Sequence, residues 1–216
     1  MAASIITIAQ QKGGAGKTTL AAHLSLAWAA HCRVAVIDID PQASLAAWFK
    51  LRQERLGAKS PAIDVSALGG WRVAAEVERR ARSHDIVIID TAPHAETEAR
   101  IAVRAASLVI VPVQPSPMDV WATGATLDLA RQERVPVLLV LNRVPARANL
   151  TGPMAAALAG LGGAVAETRI GNRIALASAL AEGKGIAETA PGSTAAAEIA
   201  ALAAEVLRRA EQRDAA

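Results

Sequence analysis

The chain has 216 residues, 52% of them hydrophobic, and a net charge of +3. That is enough apolar sequence for one sizeable folded domain and too much for disorder, while so small a positive excess permits a polyanionic partner without requiring one. The single cysteine, Cys32, excludes an internal disulfide and a cysteine metal cluster, and no apolar stretch reaches the ~20 residues that span a bilayer, so a cytoplasmic protein is expected.

Taken in chain order, apolar β-branched runs alternate with helical patterns. Runs at 4–9, 33–37, 85–89, 107–113 and 135–141, with a weaker one at 164–166, are apolar almost throughout, as parallel strands covered on both faces are. Helical patterns fill 17–30, 44–55, 73–82, 97–105, 118–132, 150–161, 175–181 and 194–212. The alternation predicts an α/β fold: a doubly wound, mostly parallel sheet flanked by helices, with no linker dividing residues 1–216. Such sheets bind ligands at the carboxyl ends of their strands, and the unusual residues gather there.

The first strand runs into Gln10-Gln11-Lys12-Gly13-Gly14-Ala15-Gly16-Lys17-Thr18-Thr19, and a helix follows. Glycines let successive N–H groups turn inward, and the helix adds its positive end, so the segment reads as a phosphate loop. In that reading Lys17 reaches the β- and γ-phosphates and Thr18 places its hydroxyl on Mg²⁺. The second strand ends in Asp38-Ile39-Asp40-Pro41-Gln42, whose two carboxylates at alternate positions are expected on one side of the strand. Beside a nucleotide they would orient the Mg²⁺ waters and the attacking water. The next run, 86–90, closes on Asp90 in the manner of a Walker B strand, whose aspartate holds a water on the metal.

K-G-G-x-G-K-T-T, then D-x-D-P-Q, then hhhhDTxP and "VIVPVQPSPMDV" together resemble the deviant-Walker ATPases of the ParA/MinD family, a branch of the P-loop NTPases. The likeness runs from Ile5 to about Glu188 and is greatest to the small ParF-like partition ATPases. The resemblance implies ATP and Mg²⁺ as cofactors, with Gly13, Gly14, Ala15, Gly16, Lys17, Thr18 and Thr19 around the phosphates. It makes Lys12 the signature lysine, which crosses an ATP-bound homodimer to the partner's phosphates, and makes Asp40 the water-activating carboxylate. Thr18, Asp38 and Asp90 fall to the metal, Asn142 and Arg143 to the adenine, and the segment Pro112 to Ser116 to the wall of the nucleotide pocket near the dimer interface. Ala92 departs from the pattern, where many relatives carry a second proline; that should alter loop stiffness and not chemistry.

For purpose, the resemblance implies slow ATP hydrolysis, nucleoid association through nonspecific DNA binding, and a ParB- or ParG-like centromere-binding or adaptor protein that stimulates turnover. Arg169, Arg173 and Lys184 are the basic residues matched to DNA contact, with Arg147 and Lys50 weaker; solvated or salt-bridged charges are the alternative for each. The loop begins ten residues into this sequence, so no helix-turn-helix domain is expected before it. The rival is a membrane switch of the MinD kind or a cargo-positioning ATPase. Against a membrane anchor, the last helix mixes Glu198, Glu205 and Glu211 with Arg208, Arg209 and Arg213 and has no Trp or Phe, so Ile199, Leu202 and Val206 are expected to pack on the sheet. Lone Cys32 excludes a nitrogenase-type iron protein, the absence of tyrosine excludes a tyrosine kinase with a tyrosine tail, and Lys12 argues against a biotin-pathway synthetase. Trp28, Trp48, Phe49, Trp71 and Trp121 read as packing residues, with core burial favoured for Trp121 over a dimer interface. His23, His31, His84 and His94 lack metal-ligand spacing.

Overall fold

The computed structural model describes residues 3–57, 60, 62–93, 96–146 and 151–214; His94 and Arg147 lie outside the described residues. Seven strands form one parallel sheet in the order β3-β2-β4-β1-β5-β6-β7. They are β1 (Ser4–Ile8), β2 (Val34–Asp38), β3 (Ile63–Ala67), β4 (Ile86–Asp90), β5 (Leu108–Val113), β6 (Val137–Leu141) and β7 (Ala164–Val165). From β1 the chain builds outward to β3 on one side, returns to β4, and then builds from β5 on the other side. The order therefore reverses beside β1, and the crevice at its carboxyl end is where an open α/β sheet receives a ligand.

The helices are α1 (Lys17–Ala29), α2 (Ser44–Leu56), α3 (Arg72–Ala81), α4 (Glu96–Ala105), α5 (Pro117–Gln132), α6 (Thr151–Gly160), α7 (Ile174–Ala181), α8 (Ile186–Thr189) and α9 (Thr194–Asp214). They divide between the two faces of the sheet as a doubly wound fold requires. Ile6 and Ile8 of β1 face a core shared with α1, α2, α7, α8 and α9, whereas Val109, Val111 and Val113 of β5 face α4, α5 and α6. A third cluster joins Ile37 and Ile89 to Val73 and Val77 of α3. Each central strand is buried on both sides, so its period-2 pattern vanishes into a continuous apolar run.

Three sequence expectations change. The edge strand β3 is absent from the predicted set. Asp40 does not share a strand face with Asp38, because β2 stops at Asp38 and Asp40 sits in the following turn, its Oδ1 accepting the Gln42 N–H at 2.9 Å. Trp71 and Trp121 are not packing residues: they are 83% and 72% exposed, whereas Trp28 and Phe49 are buried and Trp48 donates its indole N–H to the Leu180 carbonyl. Trp121 is exposed because it lies on the outer side of α5 with Pro117, Ala125 and Asp128, while Val120, Thr123 and Leu127 turn inward.

The last helix behaves as expected: Ile199, Leu202 and Val206 are buried against the α1 side of the sheet. Burial of three such side chains contributes roughly 1.5–3 kcal/mol each, which helps fix α9 in place. One of its acids is not solvated, though. Glu205 is buried and accepts the N–H groups of Glu167 and Thr168 at 2.9 and 3.0 Å. Burial alone would raise its carboxyl, but those two backbone donors outweigh it and hold the group below its ordinary value.

Candidate nucleotide site

The register of the sheet assembles the site. Ile8, Asp90 and Asp38 are Cα partners across β1, β4 and β2, so the residue before the glycine-rich loop lies level with two carboxylates. The loop turns at Gly14 (φ 77°) and Gly16 (φ 93°), both left-handed; Gly13 does not share that conformation. At Gly16 a Cβ would also lie 2.5 Å from Asn142 Nδ2, so glycine is required there twice over. Gly16 caps α1 without a side-chain bond, and the first turn carries no acid, which leaves the positive end of the helix facing the loop.

Inside the loop, buried Lys17 donates to the Gln10 carbonyl at 3.0 Å. Burial pulls its ammonium below the ordinary lysine value, against the attraction of Asp90 and Asp40. Thr18 Oγ1 donates to Asp90 Oδ2 at 2.7 Å. Asp90 Oδ1 is buried and has no hydrogen-bond partner among the described residues, and burial pushes the carboxyl up to about 7. A buried carboxylate oxygen with no donor, beside a threonine hydroxyl and level with Asp38, fits a hydrated divalent cation, which takes oxygen ligands and keeps several of its waters. No cluster of three His, Cys, Asp or Glu suited to a metal occurs among the described residues. Mg²⁺ would therefore rely on substrate phosphates and water for most of its shell.

Asp38 makes two backbone contacts that the sequence did not reveal. Its Oδ1 accepts the Asp40 N–H at 3.1 Å and its Oδ2 accepts the Ala46 N–H at 3.0 Å, which pins the turn after β2 and the start of α2. Burial, more than any neighbouring charge, raises its carboxyl above the usual range.

Around this centre the other candidates fall into place unevenly. Asn142 is buried at the end of β6 and donates from Nδ2 to the Ala15 carbonyl at 2.7 Å, so it braces the loop. Arg143 follows, exposed and in a left-handed conformation (φ 53°). Of the segment Pro112 to Ser116, Pro112 is buried within β5, opposite Val140, with its carbonyl toward the Gln10 amide at 3.5 Å. The strand ends at Val113, and Gln114 just beyond it reaches the loop, donating from Nε2 to the Gly14 carbonyl at 3.3 Å.

Lys12 folds back onto its own chain, with Nζ 2.7 Å from Oδ2 of Asp119. Asp119 is the buried third residue of α5 and needs a counter-charge; Lys12 is within reach of it. Of the basic residues near the C-terminal end, Arg169 is exposed, Arg173 makes a two-pronged pair with Glu198 (2.9 and 2.5 Å), and Lys184 pairs with Glu182 at 3.1 Å.

Comparison with known proteins agrees with this geometry. Residues 6–186 match the model of the CobQ/CobB/MinD/ParA nucleotide binding domain. The chain is 27% identical over 212 residues to maintenance of carboxysome distribution protein A of Halothiobacillus neapolitanus, covering 94% of this chain and 95% of that one. It is 30% identical over 241 residues to the chromosome-partitioning ATPase Soj of Thermus thermophilus, covering 96% of each. Its fold matches that of the septum site-determining protein MinD of Pyrococcus horikoshii, solved with Mg-ADP, at a TM-score of 0.78 and 19% identity over 98% of both chains. With the phosphate-type loop, the aligned carboxylates and the doubly wound parallel sheet in place, the chain belongs to the ParA/MinD family of P-loop nucleotide-binding proteins.

Proposed function

We propose that this chain is a slow ATPase that works as a positioning switch. ATP and Mg²⁺ bind at the loop, two copies pair across the face that carries Lys12, and the pair holds DNA without sequence preference. A partner protein borne by the cargo stimulates hydrolysis and releases the pair. The observation that carries this reading is the convergence on one loop of two lysines, Lys12 and Lys17, and three acids, Asp38, Asp40 and Asp90, the last with a buried oxygen that has no partner among the described residues.

Each residue then has a task. The N–H groups from Gly13 to Thr19 and the Lys17 ammonium cradle the phosphates, Thr18 and Asp90 hold the cation, and Asp38 orients its waters. Mg²⁺, when bound, supplies neutralisation of charge on the β- and γ-phosphates. Asp40 projects from the turn beside them and orients the attacking water. Arg143 lies alongside Gly16, where the base or ribose would leave the loop. Lys12 of the second copy completes the charge balance, as an arginine finger does. Met118 and Trp121, 64% and 72% exposed, flank Asp119 on the first turns of α5 and would be covered by that second copy.

The cargo is a replicon or a protein body. One aligned relative is named for chromosome partitioning and another for carboxysome distribution, and both span nearly the whole chain. A membrane-bound switch is disfavoured, because the apolar stripe of α9 is spent inward and no helix among the described residues is long and apolar enough to cross a bilayer.

Size-exclusion chromatography with light scattering tests the reading. The wild type should be monomeric with ADP or no nucleotide and dimeric with ATP and Mg²⁺, and Lys12→Ala should remain monomeric throughout. A wild type that stays monomeric with ATP, or a Lys12→Ala protein that pairs as well as wild type, would overturn it.

A further inference from the structure

Asp40 leaves the sheet on a turn that ends in a backbone conformation its last residue does not favour. Ala43, the residue before α2, is left-handed (φ 47°, ψ 37°). Glycine, and at times asparagine or aspartate, adopts that conformation readily, whereas alanine has no side-chain hydrogen bond with which to offset its cost. We propose that Ala43 is a positioning residue for Asp40: its left-handed backbone fixes the turn that aims the carboxylate. This rests on the water-orienting task proposed for Asp40 above and adds what sets its direction.

The turn is anchored at both ends. At the sheet, the Ile39 N–H donates to the Asp90 carbonyl at 3.0 Å, and the Asp38 carbonyl accepts the Leu68 N–H at 3.1 Å. At the helix, the Ala43 carbonyl accepts the Ala47 N–H at 2.9 Å. Ala43 offers α2 no side-chain cap, and Asp38 Oδ2 serves in its place by accepting the Ala46 N–H at 3.0 Å. Between these anchors the Ala43 N–H closes on the Asp40 carbonyl at 2.8 Å, with Pro41 at the first central position, where its fixed φ suits a tight turn. The Gln42 N–H donates to Oδ1 of Asp40 at 2.9 Å. One carboxylate oxygen is thus tied to the turn, and the carboxylate follows wherever the turn goes.

Strained backbone persists where its surroundings over-determine it. α2 cannot slide to relieve Ala43, because Arg52 farther along the helix donates to both oxygens of Glu188 at 2.8 Å. Crowding is not what holds Ala43. With Asp40, Pro41, Leu68 and Glu98 it lines a cavity of about 420 Å³ between the turn, the end of β3 and α4. That space lets the turn sag inward once the left-handed conformation is lost, and Asp40 moves with it. It also admits a larger side chain at position 43, so a substitution there acts through the backbone. Glycine would accept the same conformation and many others besides; alanine, once placed there, has fewer ways out.

The test is single-turnover hydrolysis of ATP, read together with the affinity for a fluorescent ATP analogue and the melting temperature. A β-branched residue is a poorer fit to the left-handed region than alanine, so Ala43→Val pushes the turn out of place. It should slow hydrolysis about tenfold, the scale of a misplaced catalytic group, with affinity within about twofold of wild type and the melting temperature nearly unchanged. Ala43→Asn tolerates the conformation and should hydrolyse within about threefold of wild type. A merely structural role would move affinity and melting temperature along with the rate, and asparagine would not restore it. Should Ala43→Val fail to fold, Ala43→Gly decides: with the restriction gone, hydrolysis should slow about threefold at unchanged affinity, and a wild-type rate would overturn the proposal. If Asp40→Ala abolishes hydrolysis while Ala43→Val hydrolyses like wild type, the positioning role is overturned and the reading of Asp40 stands. If Asp40→Ala hydrolyses like wild type, both fall.

Discussion

At the scale of single residues, Asn142 is the most consequential side chain that does not carry a charge. Its amide donates to the Ala15 carbonyl, and its Nδ2 fills the space that a Cβ on Gly16 would need. Asn142→Ala leaves that buried carbonyl without its donor and opens the left-handed turn to motion. ATP affinity should fall about tenfold, the scale of one lost buried hydrogen bond, with secondary structure unchanged. Titration of a fluorescent ATP analogue measures this, and an affinity within twofold of wild type would remove the brace from the account. Loss of nucleotide binding in Asn142→Ala alone cannot separate bracing from adenine contact. A guanine analogue can, because bracing weakens both bases alike. Much of the loop was legible in the sequence, since glycines, lysines and threonines at fixed spacing act on their immediate neighbours. The bracing of the loop was not: in sequence, Asn142 and the segment that holds Gln114 match the nucleotide and not the loop. Asn142, Gln114 and Asp119 lie about a hundred residues away or more, and only the strand order brings them to the loop. Asp119 did leave a trace, as the third residue after a Ser N-cap, but that signal speaks of helix capping and says nothing of Lys12.

At the scale of elements, the sequence revealed the strands buried on both faces and missed the edge strand β3. β3 reads IDVSA: Asp64 pairs with Arg80 and Ser66 bonds Glu76, so the edge strand has no unbroken apolar run. α8 is four residues long and too short for a helical period. Yet α8 anchors α2, and the link is a buried arginine that sequence reading passed over. Arg52 is 1% exposed and donates through Nη1 and Nη2 to the two oxygens of Glu188, both at 2.8 Å, and through Nη1 to the Gly183 carbonyl at 2.9 Å. Trp48 and Arg55 add bonds to the Leu180 and Ala181 carbonyls, so α2 is riveted along its length to the α7–α8 segment. Arg52→Ala breaks this pair from its buried side and should cost about 3 kcal/mol in a urea unfolding experiment. Nucleotide affinity should change little, because the other end of α2 stays fixed by the Ala46 N–H on Asp38. A cost below about 1 kcal/mol would show that solvent replaces the guanidinium freely and that α2 is held by its apolar contacts instead.

At the scale of the whole molecule, the net charge of +3 is too small for a long-range field to hold DNA, so the proposed binding would have to come from cations that are locally uncompensated. Many arginines are already spent: Arg33 on Asp85, Arg100 and Arg104 on Glu133, Arg79 and Arg80 on Glu76. Arg173 belongs with these. Its fork holds Glu198, which also accepts the Gly171 N–H, so it fastens the segment before α7 to α9. Arg173→Glu would set two acids against each other there and should lower the melting temperature by several degrees whatever it does to DNA. That makes it a poor probe of the interface. Lys184 is better, since its pair with Glu182 is exposed and exchanges at little cost. Arg169 is better still: it is exposed and sits one residue before Ile170, whose N–H joins the end of β6 at 2.9 Å, so its backbone is firm while its side chain is available. If two copies hold DNA, each Arg169 contact contributes about 0.9 to the slope of log affinity against log salt. Arg169→Glu should therefore flatten that slope by about 2 for the ATP-bound pair on a short random duplex, with the melting temperature unchanged. Fluorescence anisotropy across a salt series reads both slope and affinity. An unchanged slope would return Arg169 to the solvated face and shift the interface toward Lys184.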